Sequence, residues 1–301
     1  MKIAYLIDRD SLGGGMEYVR RQIAAHPDDA CRVFFSARGE CTARQIDAWG
    51  AEEIVVNHLR ALLQLLRNPL RRPKGRVTFV VHGIHLRQYD FLPKTLVNRT
   101  KRFLRQALER WLYRRCDRIV ALTDTDRRDI LRLYGDGLCV TVEPNSIEGW
   151  AGGLATGCPP GTTGPFAHIV IGRFNFQKGQ DRWIRKMRDE GSGIRDQGSG
   201  IRDQGAGSGR TLFIGDGPTL AGCKKLAHDL GVADRCVFAG AVPEAERYLK
   251  CADIVVSPSR WEGMPYLMMK ARSLGCRILA TDCPGNRDVL LGYDKWEKLE
   301  L

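Results

Sequence analysis

The chain has no Cys-x-x-Cys pair, although ten cysteines are scattered from Cys31 to Cys283. Without paired spacing neither a zinc site nor a disulfide framework is supported, and free thiols point to a reducing compartment. No apolar run approaches the length of a membrane-spanning helix. The first residues lack the basic start, long apolar stretch and small-residue cleavage site of an export leader. Lys2-Ile3-Ala4-Tyr5-Leu6-Ile7 reads instead as a strand. The expected location is cytoplasmic, with peripheral attachment to the inner face of a membrane as an open extension. Acidic residues are in short supply: 35 Asp and Glu stand against 47 Lys and Arg, a formal charge of +12. That balance suits anionic partners, whether nucleic acid, anionic lipid or phosphorylated substrates, and does not choose among them. No nucleic-acid-binding module or aromatic-basic interleaving is recognisable, so nucleic acid is not an expected partner. No G-x-G-x-x-G follows the first strand, which argues against a plain dinucleotide dehydrogenase.

What is present is a regular alternation. Short apolar, β-branched runs at 2–7, 32–36, 53–56, 77–82, 118–122 and 139–142 are separated by helical patterns. A second series follows at 168–172, 211–215, 236–240, 253–257 and 277–281. Continuous apolar runs suit parallel strands covered on both faces, and their alternation with helices implies βαβ units. Two series predict an α/β chain of two doubly wound domains, at 1–148 and 166–301. The Gly-, Pro- and Thr-rich stretch at 149–165 reads as a linker. Within the second domain, 191–209 carries Gly-Ser-Gly-Ile-Arg-Asp-Gln twice in tandem. Its apolar content is too low to offset the entropy of ordering it, so a flexible surface insertion is expected, between a helix at 180–188 and the strand at 211–215.

Glycines and cations gather at the ends of these strands. Gly13-Gly14-Gly15 lies between the first strand and a helix, where backbone N–H groups can approach a phosphate. The first strand of the second domain runs into Gly172-Arg173-Phe174-Asn175-Phe176-Gln177-Lys178-Gly179. Arg173 and Lys178 thus fall on the loop after a parallel strand, where open α/β sheets bind ligands, and suit a diphosphate. Gly215-Asp216-Gly217-Pro218 follows the next strand, and Pro258-Ser259-Arg260-Trp261-Glu262-Gly263-Met264-Pro265 leads into a helix near Pro265. A carboxylate at Glu262, just before a helix N-terminus, can accept N–H bonds or hold a sugar hydroxyl. Two Asp-x-Asp pairs, at Asp8 and Asp10 and at Asp124 and Asp126, read as turn or cap residues rather than metal ligands.

Taken in order, GG-x-E, GR-F-x-x-x-KG, GDGP, PS-x-x-EG-x-P and ATD-x-PG resemble glycosyltransferase family 4, a retaining family of GT-B fold. The resemblance covers nearly the whole chain and is most specific from Gly172 to Arg287. It implies two Rossmann-like domains facing a cleft. Its implied activity is transfer of a hexosyl-type sugar from a UDP-, GDP- or ADP-sugar substrate to an acceptor hydroxyl, with no cofactor and no metal. By resemblance, Arg173 and Lys178 hold the donor diphosphate, and Glu262 stands by the donor sugar. Gly263, Met264 and Pro265 lie near sugar or phosphate, and Gly215 and Gly217 shape the donor loop. Gly14 and Gly15 would face the donor from the first domain. His82, in Val80-Val81-His82-Gly83, matches a position that hydrogen-bonds a donor-sugar hydroxyl; a capped strand-end histidine is the competing reading.

Two features depart from the family pattern. Lys270 occupies the place of a carboxylate that binds the nucleotide ribose, and an ammonium donates where a carboxylate accepts, so the expectation is either weak donor affinity or a Lys270 that binds the donor through a phosphate instead. The chain also stops at Leu301, soon after the PG motif, so a shortened C-terminal part is expected. Together they leave open a second reading, a catalytically impaired remnant acting as a binding protein or not at all. The acceptor is expected to be a saccharide or lipid-linked sugar of surface polysaccharide, lipopolysaccharide or glycolipid assembly. Two basic amphipathic stretches, 58–76 and 96–117, suggest an anionic membrane surface as a partner. Their apolar sides, with Leu62, Leu65, Leu66 and Leu70 in one and Phe103, Leu104, Ala107, Leu108, Trp111 and Leu112 in the other, are expected to pack on the first-domain sheet.

Overall fold

The computed structural model describes residues 1–9, 14–150, 152–191 and 209–301. Asp10, Gly13 and nearly all of the repeat insertion therefore lie outside the described residues. The chain divides into two compact units, Met1–Ser146 and Ile147–Leu301.

The first unit carries six parallel strands: β1 (Lys2–Ile7), β2 (Ala30–Phe35), β3 (Glu53–Val56), β4 (Arg76–Val81), β5 (Arg118–Ala121) and β6 (Val140–Val142). They are ordered β2-β1-β3-β4-β5-β6. Helices α1 (Gly14–Ala25), α2 (Ala43–Trp49), α3 (Leu59–Leu66), α4 (Leu96–Tyr113) and α5 (Asp124–Tyr134) make the crossovers. Ile3 through Ile7 and Val77 through Val81 are all buried, which explains why these strands read as unbroken apolar runs rather than alternating ones. At α5, Thr123 Oγ1 accepts the Asp126 N–H at 3.0 Å, and Asp124 and Asp126 in the first turn favour the positive helix end. Asp126 also meets Arg87 Nη1 at 3.1 Å, so this Asp-x-Asp pair serves a helix start.

The second unit holds β7 (Phe166–Ile171), β8 (Thr211–Ile214), β9 (Cys236–Gly240), β10 (Ala252–Ser257), β11 (Arg277–Ala280) and β12 (Trp296–Lys298). All pairings are parallel, in the order β12-β11-β10-β7-β8-β9. Helices α6 (Gln180–Gly191), α7 (Leu220–Asp229), α8 (Tyr266–Ser273) and α9 (Pro284–Leu290) cover the faces. α9 opens on Pro284, whose missing N–H costs nothing in a first turn. β12, three residues of mixed polarity on β11, was not expected from the sequence. The residues read as a linker belong to the second unit: the Ala155 N–H donates to Arg247 O at 3.0 Å. All ten cysteines are free thiols.

One expectation is overturned. The apolar side of α4 does not pack on the sheet: Phe103 is 70% exposed and Leu104 60%, while Glu109, Leu112 and Tyr113 face the core. Leu112 alone of the six residues named above is buried. In the other stretch Leu62, Leu65 and Leu66 are fully buried as expected, but Leu70 is 96% exposed.

Candidate active site

In the second sheet the chain goes from β7 to β8 on one side and returns to place β10 on the other. The carboxyl ends of β7 and β10 therefore flank a topological switch point, where an open α/β sheet leaves a crevice. The β7 end leads to Arg173 and Lys178, and the β10 end leads to Ser259 and Glu262. The two loops are clamped together. Arg260 grips Asp181 through both nitrogens, at 2.9 and 2.6 Å, and its backbone N–H donates to Gln177 O at 2.7 Å. Gln177 Nε2 donates in return to Trp261 O at 3.0 Å. Burial works to raise the Asp181 pKa, but the Arg260 bonds outweigh it and hold the carboxyl below its ordinary value.

Within this clamp, Lys178 Nζ lies 2.7 Å from Glu262 Oε1, which also accepts Ser259 Oγ at 2.6 Å. Glu262 is only 5% exposed. A cavity of about 20 Å³, room for a water molecule, is lined by Lys178, Ser259, Glu262, Pro265 and Met268. The Ser259 loop is braced from behind: Thr281 Oγ1 donates to Ser259 O at 2.6 Å, and the fully buried Asn286 donates to Thr281 O at 3.1 Å. Gly285 packs so closely on Gly263 that a Cβ would stand 2.1 Å from its carbonyl oxygen. Met264 and Pro265 follow at the start of α8.

Arg173 stands one residue beyond Gly172. Its carbonyl accepts Gln180 Nε2 at 3.2 Å, and its guanidinium has no hydrogen-bond or ion-pair partner among the described residues. The neighbouring turn after β8 is held by backbone contact: the Phe174 N–H donates to Asp216 O at 2.9 Å. Gly215 and Gly217 have φ of +143° and +152°, and a Cβ on either would meet Gly172 O at 2.0 Å or Phe174 O at 2.3 Å. Only glycine permits both the conformation and the approach.

Lys270 is drawn elsewhere. It is 3% exposed, its Nζ donates to Glu246 Oε1 at 2.9 Å, and it lies 5.3 Å from the Trp150 ring centre. Burial tends to raise the Glu246 pKa, but the Lys270 bond lowers it below the ordinary range. Glu246 sits on a short 3-10 turn, Ala245–Tyr248, in the loop after β9, on the same carboxyl edge of the sheet as Arg173 and Glu262.

In the first unit, Gly14 and Gly15 begin α1, close behind the end of β1. His82 follows β4, and its Nε2 is 3.0 Å from Asn57 Oδ1, at the end of the adjoining β3. Asn57 Nδ2 donates to Val55 O, so its oxygen faces the ring and His82 Nε2–H is the donor. Nδ1 is left as an acceptor. Tyr18 packs edge-on at 5.2 Å. Burial, with His58 and His85 nearby, drives the His82 pKa down to about 4, so the ring is neutral at neutral pH.

Sequence reasoning missed Ser259, Gln180, Thr281, Asn286, Asn57 and Glu246. Ser259 had a signal, three residues before Glu262 in a strand-to-helix loop; Glu246 and Asn57 act across sequence gaps that no local pattern reveals.

Two family models match this chain: "Glycosyltransferase Family 4" over residues 13–148 and "Glycosyl transferases group 1" over 167–295. The chain belongs to the family 4, group 1 glycosyltransferases. It is 27% identical over 248 residues to the lipopolysaccharide core biosynthesis mannosyltransferase LpcC of Rhizobium leguminosarum bv. viciae. That match takes in 77% of this chain and 65% of LpcC. It is 30% identical over 76 residues, 25% of this chain and 20% of the relative, to the Escherichia coli UDP-Gal:alpha-D-GlcNAc-diphosphoundecaprenol alpha-1,3-galactosyltransferase. The chain thus spans less than two thirds of the curated relatives it matches. Among solved structures, Anabaena HepE with UDP and glucose matches at a TM-score of 0.70 and 14% identity, over 99% of this chain and 86% of that one. Sucrose-phosphate synthase from Thermosynechococcus elongatus matches at 0.72 and 14%, over 98% and 85%. These likenesses show the fold: each unit is a Rossmann-like domain of the GT-B type.

Proposed function

We propose that this protein transfers a sugar from a nucleotide-sugar donor to an acceptor hydroxyl in surface polysaccharide, lipopolysaccharide or glycolipid assembly. The second unit binds the donor and the first serves the acceptor. The observation that carries the reading is the Lys178–Glu262 pair at the switch point of the second sheet, with Arg173 on the same loop. Fixed cations there are positioned to take the charge that develops on a leaving diphosphate, so the reaction needs no metal. Arg173 offers a planar fork to two phosphate oxygens and Lys178 a point charge. Phosphate oxygens would draw Lys178 away from Glu262, leaving that carboxylate to a sugar hydroxyl. The acceptor hydroxyl attacks from the face the diphosphate leaves, so the anomeric configuration is retained. His82, neutral and with Nδ1 as acceptor, hydrogen-bonds a sugar hydroxyl.

Glu246 supplies the carboxylate that position 270 lacks. It stands on the donor edge of the sheet, and Lys270 holds one of its oxygens, so the ribose hydroxyls meet an oriented acceptor. Lys270 is thus a partnered ion rather than an orphan, which removes one ground for reading the chain as a decayed enzyme. Calorimetric titration of the purified protein with UDP, GDP and ADP tests the proposal. Binding of one nucleotide supports a working donor site and identifies its class. A folded protein that binds none of the three refutes it.

A further inference from the structure

Two of the cysteines in the second unit meet. Cys158, in the stretch read as a linker, and Cys251, one residue before β10, are 93 residues apart in sequence. Cys158 Sγ donates to Cys251 O at 3.7 Å, and Cys251 Sγ donates to Gly157 O at 3.0 Å. The two thiols thus cross, each bonded to the backbone beside the other. The Ala155 N–H donates to Arg247 O at 3.0 Å, so the chain leading to each cysteine runs along the other. Both side chains are half-buried and pack against the core cluster that contains Leu249. A Cβ built on Gly157 meets nothing within 4 Å, so the stretch beside Cys158 borders open space. Burial, and then a hydrogen bond with the Cys158 side chain, pushes the Cys251 pKa up to about 12, so Cys251 stays a thiol at neutral pH. Cys223 and Cys236 also share a core cluster, but both are buried.

We propose that Cys158 and Cys251 are a peroxide-sensitive modification site, joined on oxidation into a reversible disulfide that staples residues 155–158 to the loop before β10. In a reducing compartment the pair rests as two thiols. Cys158, after losing its proton, attacks one oxygen of hydrogen peroxide. The O–O bond breaks, and the departing hydroxide takes up the released proton and leaves as water. Cys158 is then a sulfenic acid. The Cys251 sulfur attacks the Cys158 sulfur: the S–S bond forms, the S–O bond breaks, and the hydroxide leaves as a second water with the Cys251 proton. The two thiols lose two electrons, and these reduce the peroxide. The new bond closes a loop of 93 residues within one unit, and a long loop restricts the unfolded chain most. Spacing hid the pair, because no local pattern links positions so far apart. The inference does not rest on the proposed sugar transfer, and it is read without turnover.

The test takes the full chain, reduced and freed of reductant, and exposes it to hydrogen peroxide before denaturation and alkylation with N-ethylmaleimide. Two of the ten cysteines should escape alkylation, and peptide mapping should find Cys158 joined to Cys251. Dithiothreitol should return both to alkylation. The oxidised protein should melt at least about 5 °C above the reduced one. Cys158→Ser and Cys251→Ser should each abolish both the protection and the shift. If a variant fails to fold, the wild-type peptide map decides alone. Ten alkylated thiols after peroxide overturn the proposal. So does a different pairing, Cys223 with Cys236 included, a disulfide between two chains, or Cys158 carried on to a sulfinic acid. A Cys158–Cys251 disulfide that leaves the melting temperature unchanged overturns the staple.

Discussion

Lys178 and Glu262 are joined at 2.7 Å across 84 residues of sequence, and Ser259 shares the same carboxylate oxygen. The ammonium proposed to hold a phosphate is thus already balanced by a buried acid. Glu262→Gln keeps the shape and removes the charge. Lys178 is then released for the diphosphate, so UDP or its counterpart should bind as well as or better than to the wild type. Turnover should fall at least roughly tenfold, because the carboxylate proposed to meet the sugar is lost. Calorimetry beside steady-state rates checks both halves. Weaker nucleotide binding with unchanged kcat would reverse the roles assigned to the pair.

Arg173 carries the opposite expectation. Among the described residues its guanidinium has no partner, so its removal leaves nothing buried and uncompensated. Arg173→Ala should therefore leave the melting temperature nearly unchanged while kcat/KM drops at least roughly tenfold, the scale of one lost charged contact. A large fall in melting temperature with normal kcat/KM would make Arg173 a structural residue.

The Lys270–Glu246 pair makes a second carboxylate at 270 a poor repair. Lys270→Glu would set two acids together beside Trp150 and leave Glu246 without its cation. A loss of about 2 kcal/mol or more is expected, since breaking a buried pair by reversing one partner strands the other. Glu246→Ala tests function more directly. The wild type should prefer the ribonucleotide over its 2′,3′-dideoxy analogue, and the variant should lose most of that preference. Equal discrimination by both proteins would take Glu246 out of the site.

Strands such as β1, β4 and β8 were legible because they are buried on both faces, and the candidate site loops drew notice because glycines and cations cluster where β7, β8 and β10 end. The direction of α4 was not. An apolar stripe announces that a helix has two faces, but Leu112 and Tyr113 reach the core while Phe103 and Leu104 do not, and only packing decides this. Glu246 escaped notice for a related reason. Its partner lies 24 residues away on α8, and a lone Glu on a 3-10 turn has no period to betray it. β12 is three residues long, and Trp-Glu-Lys carries too little apolar signal to mark an edge strand.

Gly215 tests the packing of the proposed donor loop. Its φ of +143° and the 2.0 Å approach of Gly172 O to a built Cβ leave no room for a side chain. The obstructing atom is backbone, so it cannot swing aside. Gly215→Ala should cost more than about 2 kcal/mol and displace the loop that holds Arg173. Chemical denaturation measures the first effect and nucleotide titration the second. An unaltered denaturation midpoint would mean that the β7 and β8 turns do not touch as described.

Acid should loosen the first unit before it touches most carboxylates. His82 has its pKa driven from 6.5 to about 4 by burial, so between those values the unfolded chain binds a proton that the folded chain refuses. Stability then rises with pH across this window and is lost as pH falls from about 6.5 towards 4, by at most about 3 kcal/mol from this residue. His58, also lowered mainly by burial, adds in the same direction. The carboxyls held low by cations, Asp181, Glu246 and Asp282, act below that window: their stabilisation is complete above the ordinary carboxylate pKa and fades only in stronger acid. His82→Gln retains a donor for Asn57 and cannot titrate. Its urea midpoint should fall less than that of the wild type between pH 7 and pH 5, and parallel curves for the two proteins would show that His82 is not buried in its neutral form.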